Sequence, residues 1–463
     1  RHNEPASDRL MLPTVTDLTL HRLKQRLWLH WFADTAPSPF RPLPSPELAP
    51  ALLKRSLQRR LLRARWASAV LWLAGLPFLY GLSQLTGLEA RRRQTLQQKA
   101  PKIPKGLTIA VGNLIVGGTG KTPLVIHLAK TLRQQGHQVA VLSRGYKRGG
   151  PKALRQSELV LGPDCKDPAT GLLVSPETTG DEPWLIALRA KVPVAIGQDR
   201  YLAAAKLRQH FPETSLWLLD DGLSQTSLNP DVRVLLFDQR GLGNGHCLPY
   251  GPLRMPWTKA LAQKWNPSLG NLGDPDPHSH SAPLVLAHPK GQTFQELFES
   301  KGQSSPNRLA ISRSAACWTR LSLLPDPSDQ DSGHKLSLCE ESLSLEEGCQ
   351  RFKTSERPIV AAAGIAQPHA FFESLKALGL PVHRTLELPN HHSNPLQAVL
   401  AWLQDEKLPD NCILLTTEKD AVKLAWQGPK PSGLPDVIEW WALQIELSME
   451  PSSLEFLYGW KTA

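Results

Sequence analysis

The stretch VGNLIVGGTGKTPLVIHLAKTL, residues 111–132, sets Gly117, Gly118, Thr119, Gly120, Lys121 and Thr122 between an apolar run and a helical pattern. Backbone N–H groups at the start of a helix converge on an anion. A lysine there adds a full charge, and a neighbouring threonine hydroxyl can ligate Mg2+. The spacing GxxxxGK[ST] is met except at its first glycine, where Ile115 stands. An ordinary strand–helix turn is the bland alternative, but turn chemistry alone gives no reason for GGTGKT. A phosphate loop also needs a carboxylate near its metal, at the end of a neighbouring strand. SLWLLDDGLS supplies Asp220 and Asp221 straight after an apolar run. Paired acids repel one another, and a bound cation relieves that repulsion. Two solvated turn acids before Gly222 are the bland reading here. The nearest match to a guanine-reading sequence, Thr417-Glu418-Lys419-Asp420, has its residues in the wrong order, so ATP is the expected nucleotide.

Such a loop works only if strands and helices aim it. From Leu107 onward, short apolar runs alternate with helical patterns, with strands expected at 107–111, 138–142, 192–196, 215–219, 232–237, 358–363, 382–388 and 413–416. Alternation of this kind argues for an α/β fold: a P-loop NTPase-like core whose parallel sheet is flanked by helices, and a second, smaller α/β lobe. The expected division is an extension with a Pro-rich linker (1–53), a basic-flanked apolar helix (54–105), the P-loop core (106–264), a low-order insertion (265–350) and the C-terminal lobe (351–463). The insertion is assigned from Ser, Pro, Asp and His content, with DPDPHSHSAP and LLPDPSDQDS its most loop-like pieces.

The 463-residue chain carries a net charge of +11, and its basic residues are unevenly placed. Lys54, Arg55, Arg59, Arg60, Arg63 and Arg65 precede the run WASAVLWLAGLPFLYGLSQLTGL (66–88), and Arg91, Arg92, Arg93, Lys99, Lys102 and Lys105 follow it. Cations bracketing an apolar segment fit an anionic membrane surface better than a nucleic-acid groove, so no nucleic-acid partner is expected. The run is long enough to span a bilayer, yet Gly75, Pro77, Gly81 and Gly87 weaken it. A helix lying in one leaflet, a single N-terminal span and a buried core helix all stay open. Six cysteines without CxxC spacing read as reduced thiols.

Eight pieces occur in a fixed order: VGNLIVGGTGKTP, VLSRGY (141–146), GDEP (180–183), IGQDR (196–200), LDDGL (219–223), GNGHCLPYGPLR (243–254), PNHH (389–392) and LLTTEKDAVK (414–423). Together with LPFLYGL in the apolar run, they resemble the tetraacyldisaccharide 4′-kinase family of lipid A biosynthesis. The resemblance covers residues 60 to 460 with interruptions. It implies two Rossmann-like lobes, an ATP- and Mg2+-dependent phosphoryl transfer, and a membrane glycolipid as acceptor. The reacting group would be the 4′-hydroxyl of a lipid-bearing glucosamine disaccharide 1-phosphate, met at the cytoplasmic face of the inner membrane by a membrane-associated N-terminal helix. Carried over by motif, Asp181 is the general base, His391 the histidine that assists it, Lys121 the catalytic lysine, and Arg144 and Arg200 contacts to phosphate or substrate. Thr122, Asp220 and Asp221 would hold the metal. The chain departs from the family pattern at Ser224 and Gln225 after Leu223, at Met255 after PLR, and at Asn390 before the first histidine of PNHH. Two alternatives stay open: a P-loop ATPase working as a switch or partner-binding module, and a degenerate member that binds the glycolipid without turnover.

Overall fold

The computed structural model describes residues 20, 23–24, 26–27, 29–31, 51–146, 148–149, 157–236, 240–257, 284–288, 308–325, 334–365, 368–389, 395–405, 411–425 and 438–449. The chain forms two compact units, Arg1–Arg91 with Gln239–Trp257, and Arg92–Asp238 with Thr258–Ala463. Residues 106–238 of the expected P-loop core share a unit with the expected C-terminal lobe, while residues 239–257 of that core belong to the other.

In the first unit the main element is helix α1 (Ala51–Lys99), whose last turns run on into the second. From residue 74 its polarity is inverted. Ser83, Gly87 and Ala90 are buried, while Phe78 is 68% exposed, and Leu82, Leu85 and Leu88 also face outward. Glycine and alanine on the inner face allow close approach, and a Cβ on Gly87 would lie 3.7 Å from Cys247 Sγ. Tyr80 meets His246 and Tyr250 edge-on, with centroids 5.7 and 5.3 Å apart, so an aromatic cluster fastens the helix to the 240–257 segment. Among the described residues, no helix is long and apolar enough to cross a membrane.

The second unit is built on thirteen strands among the described residues. In its first half, β1 (Leu107–Gly112), β2 (Val139–Ser143), β3 (Leu159–Leu161), β4 (Val194–Ile196), β5 (Leu216–Asp220), β6 (Val232–Leu236) and β7 (Leu284–His288) take the spatial order β7-β6-β1-β5-β2-β4-β3. All of these neighbours are parallel except β3 with β4. Between the strands lie α2 (Lys121–Gln134), α3 (Pro176–Thr179), α4 (Asp181–Ala190) and α5 (Arg200–His210). The strands of such a sheet are covered on both faces and read as continuous apolar runs. Every residue of β1, β2, β5 and β6 is accordingly buried.

The second half contains β8 (Arg308–Pro325), β9 (His334–Ser344), α6 (Leu345–Thr354), β10 (Ile359–Ala363), α7 (Pro368–Ala377), β11 (Val382–Glu387), α8 (Pro395–Asp405), β12 (Ile413–Thr417), α9 (Glu418–Ala425) and β13 (Glu439–Met449). Its order is β11-β10-β12-β13-β8, with β9 on β8. β8 begins parallel to β7 and continues antiparallel to β13, so one strand serves both halves. Beside it, Trp318, Phe352 and Trp441 stack edge-to-face at 5.0 and 5.6 Å. The three strands β7, β8 and β9 occupy part of the span expected to be a low-order insertion. Serines, arginines and lysines along β8 and β9 obscure their alternation in the sequence.

Candidate active site

The phosphate loop leaves the carboxyl end of β1 and enters α2. Gly120 sits at φ 87°, in the left-handed region that a side chain disfavours, and its carbonyl accepts the first helical bond from Leu124 N at 3.2 Å. Pro123 falls in the first turn, where its missing N–H costs nothing. Asn113, buried at the strand end, organises the loop from beneath. Its Nδ2 donates to Ile115 O at 2.7 Å, and its Oδ1 accepts from Lys121 Nζ at 2.9 Å. Ile115 is wholly buried at the position of the missing first glycine, so an apolar anchor stands in for a backbone turn there. Gly117 and Gly118 are exposed, and the buried Thr119 Oγ1 finds no partner among the described residues.

The register of the sheet brings the acids to this loop. Val111 of β1 lies opposite Asp220 of β5, and Gly222 N donates to Val111 O at 3.0 Å. Gln97, in the last turns of α1, donates to Gly222 O at 2.9 Å. Asp221 adopts φ 51°, a left-handed conformation that aspartate tolerates better than most residues, and its Oδ1 lies 3.7 Å from Lys121 Nζ. Asp220 is 7% exposed, with Ser143 Oγ at 3.4 Å from its Oδ2. Burial, then Asp221, then Glu182 push its carboxyl up to about 6, against the pull of Lys121 and Arg200.

Arg200, the first residue of α5, is 2% exposed. Its Nη1 donates to the carbonyls of Gly197 and Gln198, and burial pushes its guanidinium down to about 10 despite Asp220. Arg144 lies exposed just beyond β2. Of the two arginines carried over by motif, Arg144 is thus open to an anion, whereas Arg200 faces its own loop and the acids.

Asp181 opens α4 with Glu182. Gly180, at φ 93° and ψ 152°, makes the turn into the helix, a conformation essentially reserved for glycine. Both acids occupy the helix's first turn, where the macrodipole favours negative charge. Each is met by a lysine from α9. Lys423 Nζ lies 3.2 Å from Asp181 Oδ2, and Lys419 Nζ 2.5 Å from Glu182 Oε1. About two helix turns on, Arg189 pairs with Glu418. Burial opposes the charge on Lys419, but Glu182, Asp181 and Asp420 outweigh it and raise the ammonium's pKa.

The structure therefore brings Lys121, Thr122, Asp220 and Asp221 to adjacent strand ends of the first half, and ties Asp181 to the second. His391 and Asn390 lie outside the described residues. Asn113, Ser143, Glu182, Lys419 and Lys423 went unassigned in the sequence. The two lysines stand in LLTTEKDAVK, whose order fails as a guanine reader because it serves α4 instead. Among the departures, Gln225 closes its own loop, accepting from Ser227 N at 2.7 Å and donating to Leu228 O at 2.7 Å. Met255 is buried and Ser224 exposed.

Among the described residues no group of three or more His, Cys, Asp or Glu could cage a metal. Two carboxylates and a hydroxyl suit instead a Mg2+ that completes its shell with nucleotide phosphates and water. The crowding of Asp220 and Asp221 fits that ion, because a cation would relieve it.

A phosphate loop at a central strand end, flanked by an acid pair on the adjacent parallel strand, defines a P-loop nucleotide-binding α/β protein. Residues 70–459 match the family described as Tetraacyldisaccharide-1-P 4′-kinase. The chain belongs to this family. It is 33% identical over 399 residues to a tetraacyldisaccharide 4′-kinase from Polaromonas naphthalenivorans, covering 84% of this chain and 91% of the relative. A kinase of the same name from Dechloromonas aromatica is 32% identical over 407 residues, covering 88% and 97%. Among solved structures, LpxK from Aquifex aeolicus in complex with ATP superposes with a TM-score of 0.53 at 26% identity, over 84% of this chain and 98% of that one. Relatives named as kinases do not favour the switch or non-catalytic alternatives.

Proposed function

We propose that the protein transfers the γ-phosphoryl group of ATP to the 4′-hydroxyl of a lipid-bearing glucosamine disaccharide 1-phosphate. The observation that carries this reading is the placement of Lys121 beside the Asp220–Asp221 pair, within a chain matched to the kinase family over residues 70–459. Lys121 neutralises charge on the β- and γ-phosphates, moving to them from Asn113, and the loop N–H groups orient the chain of phosphates. Mg2+, held by Thr122, Asp220 and Asp221, supplies charge neutralisation on the phosphates when bound. Asp181 takes the proton of the sugar hydroxyl as the new P–O bond forms, and His391 assists it. A hydroxyl is a poor nucleophile, and a placed base contributes roughly 10²- to 10⁴-fold. Arg144 receives an anionic group of nucleotide or acceptor.

The acceptor's acyl chains remain in a bilayer, so the enzyme works at the cytoplasmic face of the inner membrane, against anionic lipid. The outward apolar row of α1, with basic residues on both sides in sequence, supports this placement. The test is phosphoryl transfer from γ-labelled ATP to the disaccharide 1-phosphate in detergent. The wild type should label the acceptor, and Lys121→Ala should label it at least about 10²-fold more slowly. ATP hydrolysis without acceptor labelling would overturn the assignment. Replacing Leu82, Leu85 and Leu88 by serine should release the protein from anionic vesicles; undiminished binding would count against this surface.

A further inference from the structure

α9 is joined to α4 by three ion pairs, and the third differs in kind from the others. Arg189–Glu418 and Lys419–Glu182 link the two helices through residues given no role in the chemistry. The Lys423–Asp181 pair involves the residue read above as the base, and the lysine is the most buried cation of the three, with its side chain 9% exposed. Lys423 is itself held by a chain of contacts in the second half of the sheet. Gly364 N, just past β10, donates to Asp420 Oδ2 at 2.9 Å, and Thr417 Oγ1 donates to the same oxygen at 2.6 Å. That leaves Asp420 Oδ1 turned toward Lys423 Nζ, 4.0 Å away.

We infer that Lys423 is a positioning residue for the acceptor: its ammonium, braced by Asp420, fixes Asp181 Oδ2 so that the carboxylate is presented in one orientation to the sugar hydroxyl. This inference rests on the assignment of Asp181 as base. A carboxylate at a helix start has two free side-chain torsions, and a base that must meet one hydroxyl gains rate from being held in one setting. The orienting cation comes from the second half of the sheet while the base comes from the first, so the correct mutual setting of the two halves is a condition for an oriented base. Lys419 contributes by engaging Glu182, the one other acid in that turn, which would otherwise compete for Lys423.

The experiment measures acceptor phosphorylation by the full chain carrying Lys423→Gln or Lys423→Arg, each alone and combined with Asp181→Asn. ATP affinity, melting temperature and the pH profile of kcat are read alongside. The charged groups near Asp181 include Lys423, Lys419 and Asp420 on α9 and Glu182 on its own helix. Loss of the Lys423 charge should therefore move the acidic limb of kcat to higher pH. Lys423→Gln should lower kcat roughly 10- to 100-fold with ATP affinity unchanged, Lys423→Arg should restore most of it, and neither should have further effect beside Asp181→Asn. A Gln variant with wild-type kcat while Asp181→Asn is inactive would overturn the role of Lys423 and leave the base assignment standing. Equal losses in both backgrounds would show a purely structural lysine and also overturn it. An active Asp181→Asn enzyme would bring down the base assignment and this inference together. Should Lys423→Gln not fold, Lys423→Met takes its place: a fall confined to the Asp181 background supports the inference, and no fall, or an equal one in both, overturns it.

Discussion

The molecule carries two adjacent acid pairs, and it treats them in opposite ways. Asp181–Glu182 begins a helix, and each carboxylate has its own lysine from α9. Asp220–Asp221 ends a strand. Lys121 lies 3.7 Å from the second acid, while the first is buried and pushed up to about 6 despite Lys121 and Arg200. Internal cations satisfy the first pair permanently and set its geometry. The second pair is left under-compensated, so an external cation that arrives with the nucleotide has something to bind. The same residue types thus make a positioned base in one place and a metal site in the other, and the difference lies in which neighbours supply positive charge.

Four substitutions sharpen or break this contrast, taken from the largest expected effect downward. Asp181→Ala should reduce kcat/KM by on the order of 10³-fold, and the double variant with His391→Ala should be little worse, because residues acting as a unit are non-additive. Fully additive losses, measured by acceptor labelling, would dissolve the dyad. Asp221→Asn should cost about 10- to 100-fold at limiting Mg2+, with partial recovery as Mg2+ is raised; equal impairment at every concentration would make Asp221 structural. Asp220→Asn should abolish little of the fold and in fact stabilise the protein when Mg2+ is absent. The sign follows from the raised pKa: the folded state favours the protonated acid, so native stability falls as pH rises from about 4 to about 6. The asparagine variant escapes that loss, gaining up to about 3 kcal/mol above pH 6 and nothing below pH 4, as denaturant titrations at both pH values would reveal. Lys419→Met should be the mildest, lowering stability by about 1 kcal/mol or less, since its pair is partly open to solvent. A larger loss would mean that α9 docks mainly through this pair.

Much of the first half of the sheet was legible in the sequence, for a physical reason. Parallel strands buried on both faces must be apolar along their whole length, so β1, β5 and β6 stand out as runs, and the glycines and Lys121 that follow β1 have no cheaper explanation. β8 and β9 are antiparallel and rich in Ser, Arg and Lys, which hides them among turn-like residues. β13 was missed although EWWALQIELSM alternates over part of its length and follows a stretch punctuated by Gly428, Pro429, Pro431, Gly433 and Pro435. The motifs gave Asp181 and Asp220, but not Lys423 or Asn113. Lys423 meets Asp181 only because α4 and α9 pack across more than two hundred residues, which no local spacing encodes, and Asn113 acts through bonds inside its own loop that the phosphate-loop pattern does not specify. α1 shows the opposite failure: its apolar content was plain, but which face would point outward was not.

β8 also bears on how the chain is made. Its first residues complete the parallel sheet that starts at β1, and β9 covers one of its edges as soon as the hairpin closes. The other edge belongs to β13, the last described strand, so during synthesis an eighteen-residue strand waits with open N–H and C=O groups until the ribosome has reached Met449. At roughly 5–20 residues per second that wait lasts several seconds or more. The open edge, residues 311–321 of β8, is a template for pairing with another nascent chain. The arginines and serines that disguise β8 as a loop are what a strand in that position needs to stay single until its own partner arrives.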